Sequence, residues 1–254
     1  MHLLEVRDLS KHFGGIRAIE EVSFSLKSGV ILSIIGPNGA GKTTLFNCLT
    51  GFITPTRGSI VFSGREISGL AADRISRLGI SRTFQNIRLF REMTVSENVM
   101  VAQHAGIRTG LLSAVLRSSR FREDERSVRE KAFEYLELLG LEACAQKSSG
   151  SLAYGVQRKI EIARALATGA AILLLDEPTA GMNPQETEEM MTIIRNLREL
   201  GKTIILIEHD MKVVMGISDR IIVIDDGVKI AEGVPVEIKN NPMVIEAYLG
   251  KETL

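Results

Sequence analysis

Gly36-Pro37-Asn38-Gly39-Ala40-Gly41-Lys42-Thr43 lies between the apolar run Val30-Ile31-Leu32-Ser33-Ile34-Ile35 and the segment Thr43-Thr44-Leu45-Phe46-Asn47-Cys48-Leu49. The apolar run reads as a buried strand and the segment after the glycines as a helix. Strand, glycine-rich turn and helix start, joined with G-x-x-x-x-G-K-T spacing, make a phosphate-binding P-loop. Glycines let backbone N–H groups close around an anion without Cβ clashes. The helix N-terminus adds unpaired donors and the positive end of its dipole. Lys42 supplies a mobile ammonium for β- and γ-phosphate oxygens, and the Thr43 hydroxyl can ligate Mg²⁺. Residues Gly36, Pro37, Asn38, Gly39, Ala40, Gly41, Lys42, Thr43 and Thr44 are therefore expected to hold a nucleoside triphosphate. The alternative, a glycine-rich turn that matches by chance, is disfavoured by this strand and this helix.

The 254 residues are 44% hydrophobic and 24% charged, enough for a large globular core. Lys+Arg and Asp+Glu both total 31, so no net field draws the chain to nucleic acid or to an acidic surface. Cys48 and Cys144 form no C-x-x-C pair, which argues for packing roles in a reducing compartment. Residues 1–8 lack an apolar signal core. The longest apolar runs, such as Ala170-Ala171-Ile172-Leu173-Leu174-Leu175, are far too short to span a bilayer. Work at a membrane would therefore be that of a peripheral subunit.

Residues 3–6 and 18–26 read as short antiparallel strands, joined by a further strand at 59–62 after the turn Pro55-Thr56-Arg57-Gly58. Residues 71–78 read as a short helix, and Gly79-Ile80-Ser81-Arg82-Thr83-Phe84 as a core strand ending at Gln85. From 86 to 150 no strong strand signal occurs, and Val128, Ala132, Tyr135, Leu136 and Leu139 line one face of a helix. The mixed charges of 117–129 read as a solvated face. After residue 156 the pattern is helix, strand (172–175), helix (184–200) and strand (203–207), which argues for a parallel sheet covered on both faces. A hairpin turned at Asp226-Gly227 and two short helices, 234–239 and 242–249, close the chain.

Ile172-Leu173-Leu174-Leu175-Asp176-Glu177 delivers two carboxylates at the end of an apolar strand, a costly arrangement unless a cation or a reaction uses them. Asp176 fits Mg²⁺ coordination, and Glu177 is placed to polarise an attacking water. Further on, Asn183, Pro184 and Glu186 have the order of an N-cap, N1 and N3, so Asn183 has a capping role beside any other.

Ser151-Leu152-Ala153-Tyr154-Gly155-Val156-Gln157-Arg158 resembles the signature motif of ABC-transporter ATPases, usually Leu-Ser-Gly-Gly-Gln, and four further elements match that family in order. Phe13 resembles its adenine-stacking aromatic, and Gln85 the glutamine that links the metal site to a helical subdomain. Residues 180–183 resemble its dimer-crossing loop, and His209 its γ-phosphate switch histidine. Within the superfamily the chain looks most like the ATP-binding subunits of branched-chain amino acid importers. This rests on Phe46-Asn47-Cys48-Leu49-Thr50-Gly51-Phe52, the stretch from Arg82 to Phe90, Leu152-Ala153-Tyr154-Gly155 and the closing segment from Asn241-Pro242 to Tyr248-Leu249-Gly250. ATPases of urea or short-amide import and of lipopolysaccharide export share much of this wording. Ala153 replaces the usual signature serine, Tyr154 its first glycine, Val156 its glutamine, and Asn183 the usual aspartate of the crossing loop. Gly155 and the following helix remain to meet an anion.

The resemblance implies an α/β P-loop NTPase core with a mostly parallel sheet and an antiparallel β subdomain (1–85 and 151–254), carrying an inserted α-helical subdomain (86–150), all one ABC ATPase domain. It implies ATP or ADP with Mg²⁺ as cofactors, with Thr43, Gln85 and Asp176 at the metal. Lys42, Glu177 and His209 would act in catalysis. Phe13, Gln85, Leu152, Ala153, Gly155 and Asn183 would join the P-loop in nucleotide binding. Implied partners are a second ATPase subunit, the same chain or a paralogue, and membrane permeases docking near 86–104 on the cytoplasmic face of the membrane. A soluble ABC ATPase working on DNA or ribosomes is the competing reading, and the balanced charge and missing basic arm weigh against it. A small P-loop kinase or GTPase would leave Gln85, residues 151–158 and His209 without a task.

Overall fold

A computed structural model describes residues 2–103 and 119–249. The chain forms two compact units, Met1–Arg82 with Ala171–Leu254, and Thr83–Ala170. The helical segment expected at 86–150 lies inside the second unit, which also takes in the helix that begins at the signature-like motif. Residues 104–118, which include His104 and the first two residues of the charged stretch 117–129, fall outside the described residues, as does Gly250.

In the first unit β1 (Leu4–Phe13), β2 (Ile16–Leu26), β4 (Arg57–Phe62) and β5 (Arg65–Glu66) form an antiparallel sheet ordered β2-β1-β4-β5. A second sheet contains β3 (Ile31–Ile35), β6 (Ile80–Arg82), β7 (Ile172–Asp176), β8 (Thr203–Ile207), β9 (Arg220–Asp225) and β10 (Val228–Gly233), in the order β10-β9-β3-β8-β7-β6. Its neighbours pair in parallel except β9 with β10, the hairpin expected at Asp226-Gly227. Every residue of β3, β7 and β8 is buried, as interior parallel strands covered on both faces require.

Alternation divides the core. Ile34, Ile222 and Ile224 point into a cluster shared with the antiparallel sheet and α1 (Lys42–Leu49), through Val6, Ile19, Phe46 and Ile60. Ile35, Ile221 and Val223 point to the other face. The strand at 79–84 expected from sequence stops at Arg82, and α2 (Ala72–Leu78) precedes it. β1 is longer than its alternation indicated because a left-handed residue, Asp8 at φ 46°, breaks the period and leaves Leu9 and Ser10 both buried.

The second unit holds α3 (Val95–Gln103), α4 (Ser119–Leu138) and α5 (Tyr154–Ala167). On α4 the expected stripe is observed, with Val128, Ala132 and Leu136 buried, Tyr135 half-buried, and Leu139 buried just beyond the helix. In the first unit, α6 (Pro184–Glu199) and α7 (Met211–Ile217) flank β8 in sequence, followed by α8 (Pro235–Lys239) and α9 (Pro242–Leu249). The sequence reading had no α7, whose start is capped by Asp210 accepting from the Lys212 amide at 2.8 Å. Against the other face of the sheet, Val214 of α7, Ile238 of α8 and Val244 of α9 are buried with Ile35 and Val223.

Candidate nucleotide site

β8 lies between β3 and β7, so the turns after all three open along one edge of the sheet. The loop from Gly36 follows β3, Asp176 closes β7 with Glu177 just after it, and Glu208 and His209 follow β8. The edge outside the carboxyl ends of parallel strands is where open α/β sheets bind ligands.

Gly36 must be glycine because a Cβ there would stand 1.9 Å from the Ile224 carbonyl oxygen. Gly41 ends the loop in the left-handed region at φ 99°, and a Cβ would meet the Ala18 carbonyl oxygen at 2.3 Å. The loop therefore presses against β9 and against the β1–β2 hairpin. Lys42 Nζ donates to the Gly36 and Pro37 carbonyls at 2.7 and 2.8 Å, which draws its ammonium across the loop mouth. In front lies a cavity of about 400 Å³ lined by Gly39 to Thr44, by Ile16, Arg17 and Ala18 of β2, and by Asp226 and Gly227. The last two are held there by the Gly227 amide, which donates to Ala40 at 3.1 Å. Sequence reasoning read this turn only as a hairpin and placed neither it nor residues 16–18 at the site, because neither sits near the P-loop in the chain. Phe13 ends β1 45% exposed, which excludes core packing, with Lys11 Nζ 5.0 Å from its ring centroid. It is not among the cavity's lining residues.

Asp176 is buried, and its Oδ2 accepts from Arg82 Nη2 at 2.6 Å. Arg82 Nη1 also donates to Asn47 Oδ1 of α1 at 2.6 Å, and its guanidinium lies 5.4 Å from the Phe46 ring centroid. One arginine thus binds the strand-end carboxylate and the P-loop helix. An arginine in a buried strand beside an apolar strand ending in acid was the available signal, and it went unread.

Glu177 adopts φ 48°, a left-handed conformation rare for a side chain of its size, with its amide donating to Ile207 at 2.9 Å. His209 Nδ1 lies 3.7 Å from Glu177 Oε1 and 3.9 Å from Glu208 Oε2. Glu208 is buried; its Oε1 accepts from the amide and hydroxyl of Thr179, and its Oε2 from the His209 amide at 3.1 Å. It fixes the turn after Glu177 relative to His209, a second role that the sequence reading missed.

Asn183 caps α6, its Oδ1 accepting from the Gln185 and Glu186 amides at 2.9 and 3.0 Å while Glu186 Oε2 accepts from the Asn183 amide. Cys48 is buried, and burial pushes its thiol up to about 11, so it is an inert packing group as its sequence context indicated.

Gln85, Leu152, Ala153 and Gly155 belong to the second unit. Ala153 is the N-cap of α5 and brings no side-chain cap; Gly155 is buried in its first turn. Thr43 and Asp176 offer the hard oxygen donors that Mg²⁺ takes in small number beside water and phosphate. Among the described residues no cluster of three or more His, Cys, Asp or Glu could cage a metal.

Residues 19–180 match the family described as ABC transporter, and residues 228–253 that described as branched-chain amino acid ATP-binding cassette transporter. The high-affinity branched-chain amino acid transport ATP-binding protein LivG of Salmonella typhimurium is 52% identical over 250 residues, 98% of each chain. The ADP conformation of an ATP-binding cassette of an ABC transporter superposes with TM-score 0.85 at 33% identity, over 98% of this chain and 99% of that one. A dimeric post-hydrolysis ATP-binding cassette bound to ADP and Pi matches with TM-score 0.77 at 28% identity, over 91% of this chain and 98% of the other. The ordered motifs, the two sheets and these likenesses agree: the chain belongs to the ABC-transporter family of ATP-binding proteins.

Proposed function

We propose that this chain hydrolyses ATP to power a membrane importer of branched-chain amino acids. The observation that carries the ATPase half is the P-loop cavity, set on the sheet edge where Asp176, Glu177 and His209 also emerge. The cargo is inferred from the match at residues 228–253 and from the relative's name.

In this reading the amides of Gly39 to Thr44 and the Lys42 ammonium bind the β- and γ-phosphates, and Phe13 stacks on the base. Mg²⁺, held by Thr43, Asp176 and Gln85, would neutralise charge developing on the phosphoryl oxygens. Glu177 orients and deprotonates the attacking water, and His209 contacts the γ-phosphate. Phosphoryl transfer is mostly positioning and charge neutralisation, so small displacements of these groups cost large factors in rate.

A second subunit, the same chain or a paralogue, would present Leu152, Ala153, Gly155 and its residue-183 loop to the nucleotide. ATP would favour the closed pair and hydrolysis would reopen it, a population shift driven by differential affinity. Permease subunits would dock near residues 86–104 on the cytoplasmic face of the membrane. No described helix is long and apolar enough to cross a bilayer. Nucleic acid is not a partner in this reading.

ATP-dependent uptake of labelled leucine into membrane vesicles tests it directly. Vesicles whose complex carries Lys42→Ala should lose at least nine-tenths of the ATP-dependent uptake seen with the unaltered chain, a figure of about tenfold for a lost charged phosphate contact. Equal uptake would overturn the assignment.

A further inference from the structure

Arg158, Glu161 and Arg164 recur every third residue along α5, and the first two are buried. All three reach the same stretch of main chain. Arg158 Nη1 donates to the Phe84 carbonyl at 2.5 Å, and its Nη2 to the Gln85 carbonyl. Glu161 Oε1 accepts from the Arg88 amide at 2.9 Å, while its Oε2 accepts from Arg158 Nη1 at 3.1 Å. Arg164 Nη1 donates to the Arg88 carbonyl, and its guanidinium lies 5.1 Å from the Phe90 ring centroid. Residues 84–88 therefore take no part in a strand, yet much of their main chain is bonded by side chains of one helix.

The same row extends to the start of α5. Tyr154, at the position where the signature motif usually has glycine, accepts through its hydroxyl from Arg158 Nε at 3.1 Å and Nη2 at 2.7 Å. The Arg158 guanidinium also lies 5.2 Å from the Tyr154 ring centroid. Tyr154 itself is 44% exposed, so its hydroxyl orients Arg158 while little of the fold depends on its ring. Next to it, Ser148 Oγ and the Gly150 amide both donate to the Arg91 carbonyl, at 2.7 and 3.0 Å. Asn98, fully buried, exchanges hydrogen bonds with the amide and carbonyl of Phe90 at 3.0 Å each. The backbone from Phe84 to Arg91 is thus fixed at many points while Gln85 and Phe90 stay exposed.

We propose that Tyr154 and Arg158, with Glu161, form a positioning relay that makes the first turn of α5 and the Gln85 segment move as one piece. The inference rests on the ATPase reading above, in which that first turn meets the partner's nucleotide and Gln85 serves the chain's own. Engagement of α5 by a partner's triphosphate then displaces Gln85 directly, with no slack loop between them. A planar, five-donor guanidinium suits this task, because it can bond two adjacent carbonyls, a carboxylate and a phenol together, which a lysine cannot. The relay also gives Tyr154 a use: a glycine there would leave Arg158 without its phenolic acceptor.

The test uses the full-length chain and two variants, Tyr154→Phe, which removes only the hydroxyl, and Arg158→Lys, which keeps the charge and loses the fork. Amide exchange across residues 85–91 and steady-state ATPase kinetics are read together. Exchange in 85–91 should accelerate about tenfold in Arg158→Lys and less in Tyr154→Phe, with the amides of α6 and α7 unchanged, since charge-assisted bonds are among the stronger ones. The kcat should fall about fivefold or more in both variants, with KM for Mg-ATP within about twofold, since the P-loop is untouched. Unchanged exchange in 85–91, or faster exchange with unchanged kcat, would overturn the relay. So would a parallel loss of kcat, KM and melting temperature, the mark of a merely structural role. If the unaltered chain hydrolyses no ATP, the ATPase reading falls, and the exchange pattern alone decides whether the two segments are bonded as described.

Discussion

Arg82 does the most at the scale of a single residue, and its work follows from electrostatics. Both it and Asp176 are buried, and a carboxylate so far from water needs a partner. Taking one member from a buried ion pair costs about 3–5 kcal/mol, because the other is left uncompensated. Arg82→Ala should therefore lower unfolding stability by about 3 kcal/mol in denaturant melts. A change below about 0.5 kcal/mol would mean that the Asp176 carboxylate is held by something else. Both Arg82 and Glu208 went unread beforehand, for the same reason. A partner contributed by a distant strand leaves no local spacing, whereas Gly36, Gly41 and Lys42 announce themselves by spacing alone.

Among the elements, legibility tracks how local the causing physics is. The P-loop strand and helix, the Asp-Gly hairpin and the start of α6 were each readable from a few adjacent residues. The observed cap shows why: Asn183 and Glu186 satisfy each other's backbone donors within a single turn. Asn183→Ala should cost about 1 kcal/mol, read as a lower midpoint in urea. No shift would mean that water serves those amides equally well. β1 and the 79–84 segment were misjudged, the first through a backbone irregularity and the second through a non-local contact. A left-handed Asp8 broke the alternation of β1, and the main chain of Phe84 and Gln85 is bonded by Arg158, 73 or more residues later, not by a neighbouring strand. No window of sequence around Gln85 contains that arginine. Helix α7 escaped notice because its seven residues carry too short a period to see.

The whole molecule divides as its chemistry does. The triphosphate loop, the strand-end acids and His209 belong to the unit built on two sheets, while Gln85 and the first turn of α5 belong to the helical unit. In the proposed reading that division would let nucleotide binding and its transmission be altered separately, which the Tyr154→Phe and Lys42→Ala variants exploit. The account as a whole stands on Glu177 as the group that activates water at a bound triphosphate. Phosphate release from Mg-ATP, measured beside ATP affinity for the unaltered chain and for Glu177→Gln, tests this most directly. The variant should bind ATP with a Kd within about threefold of the parent while its turnover falls about a hundredfold or more, the scale expected for loss of a general base. Equal turnover in the two proteins would contradict the account.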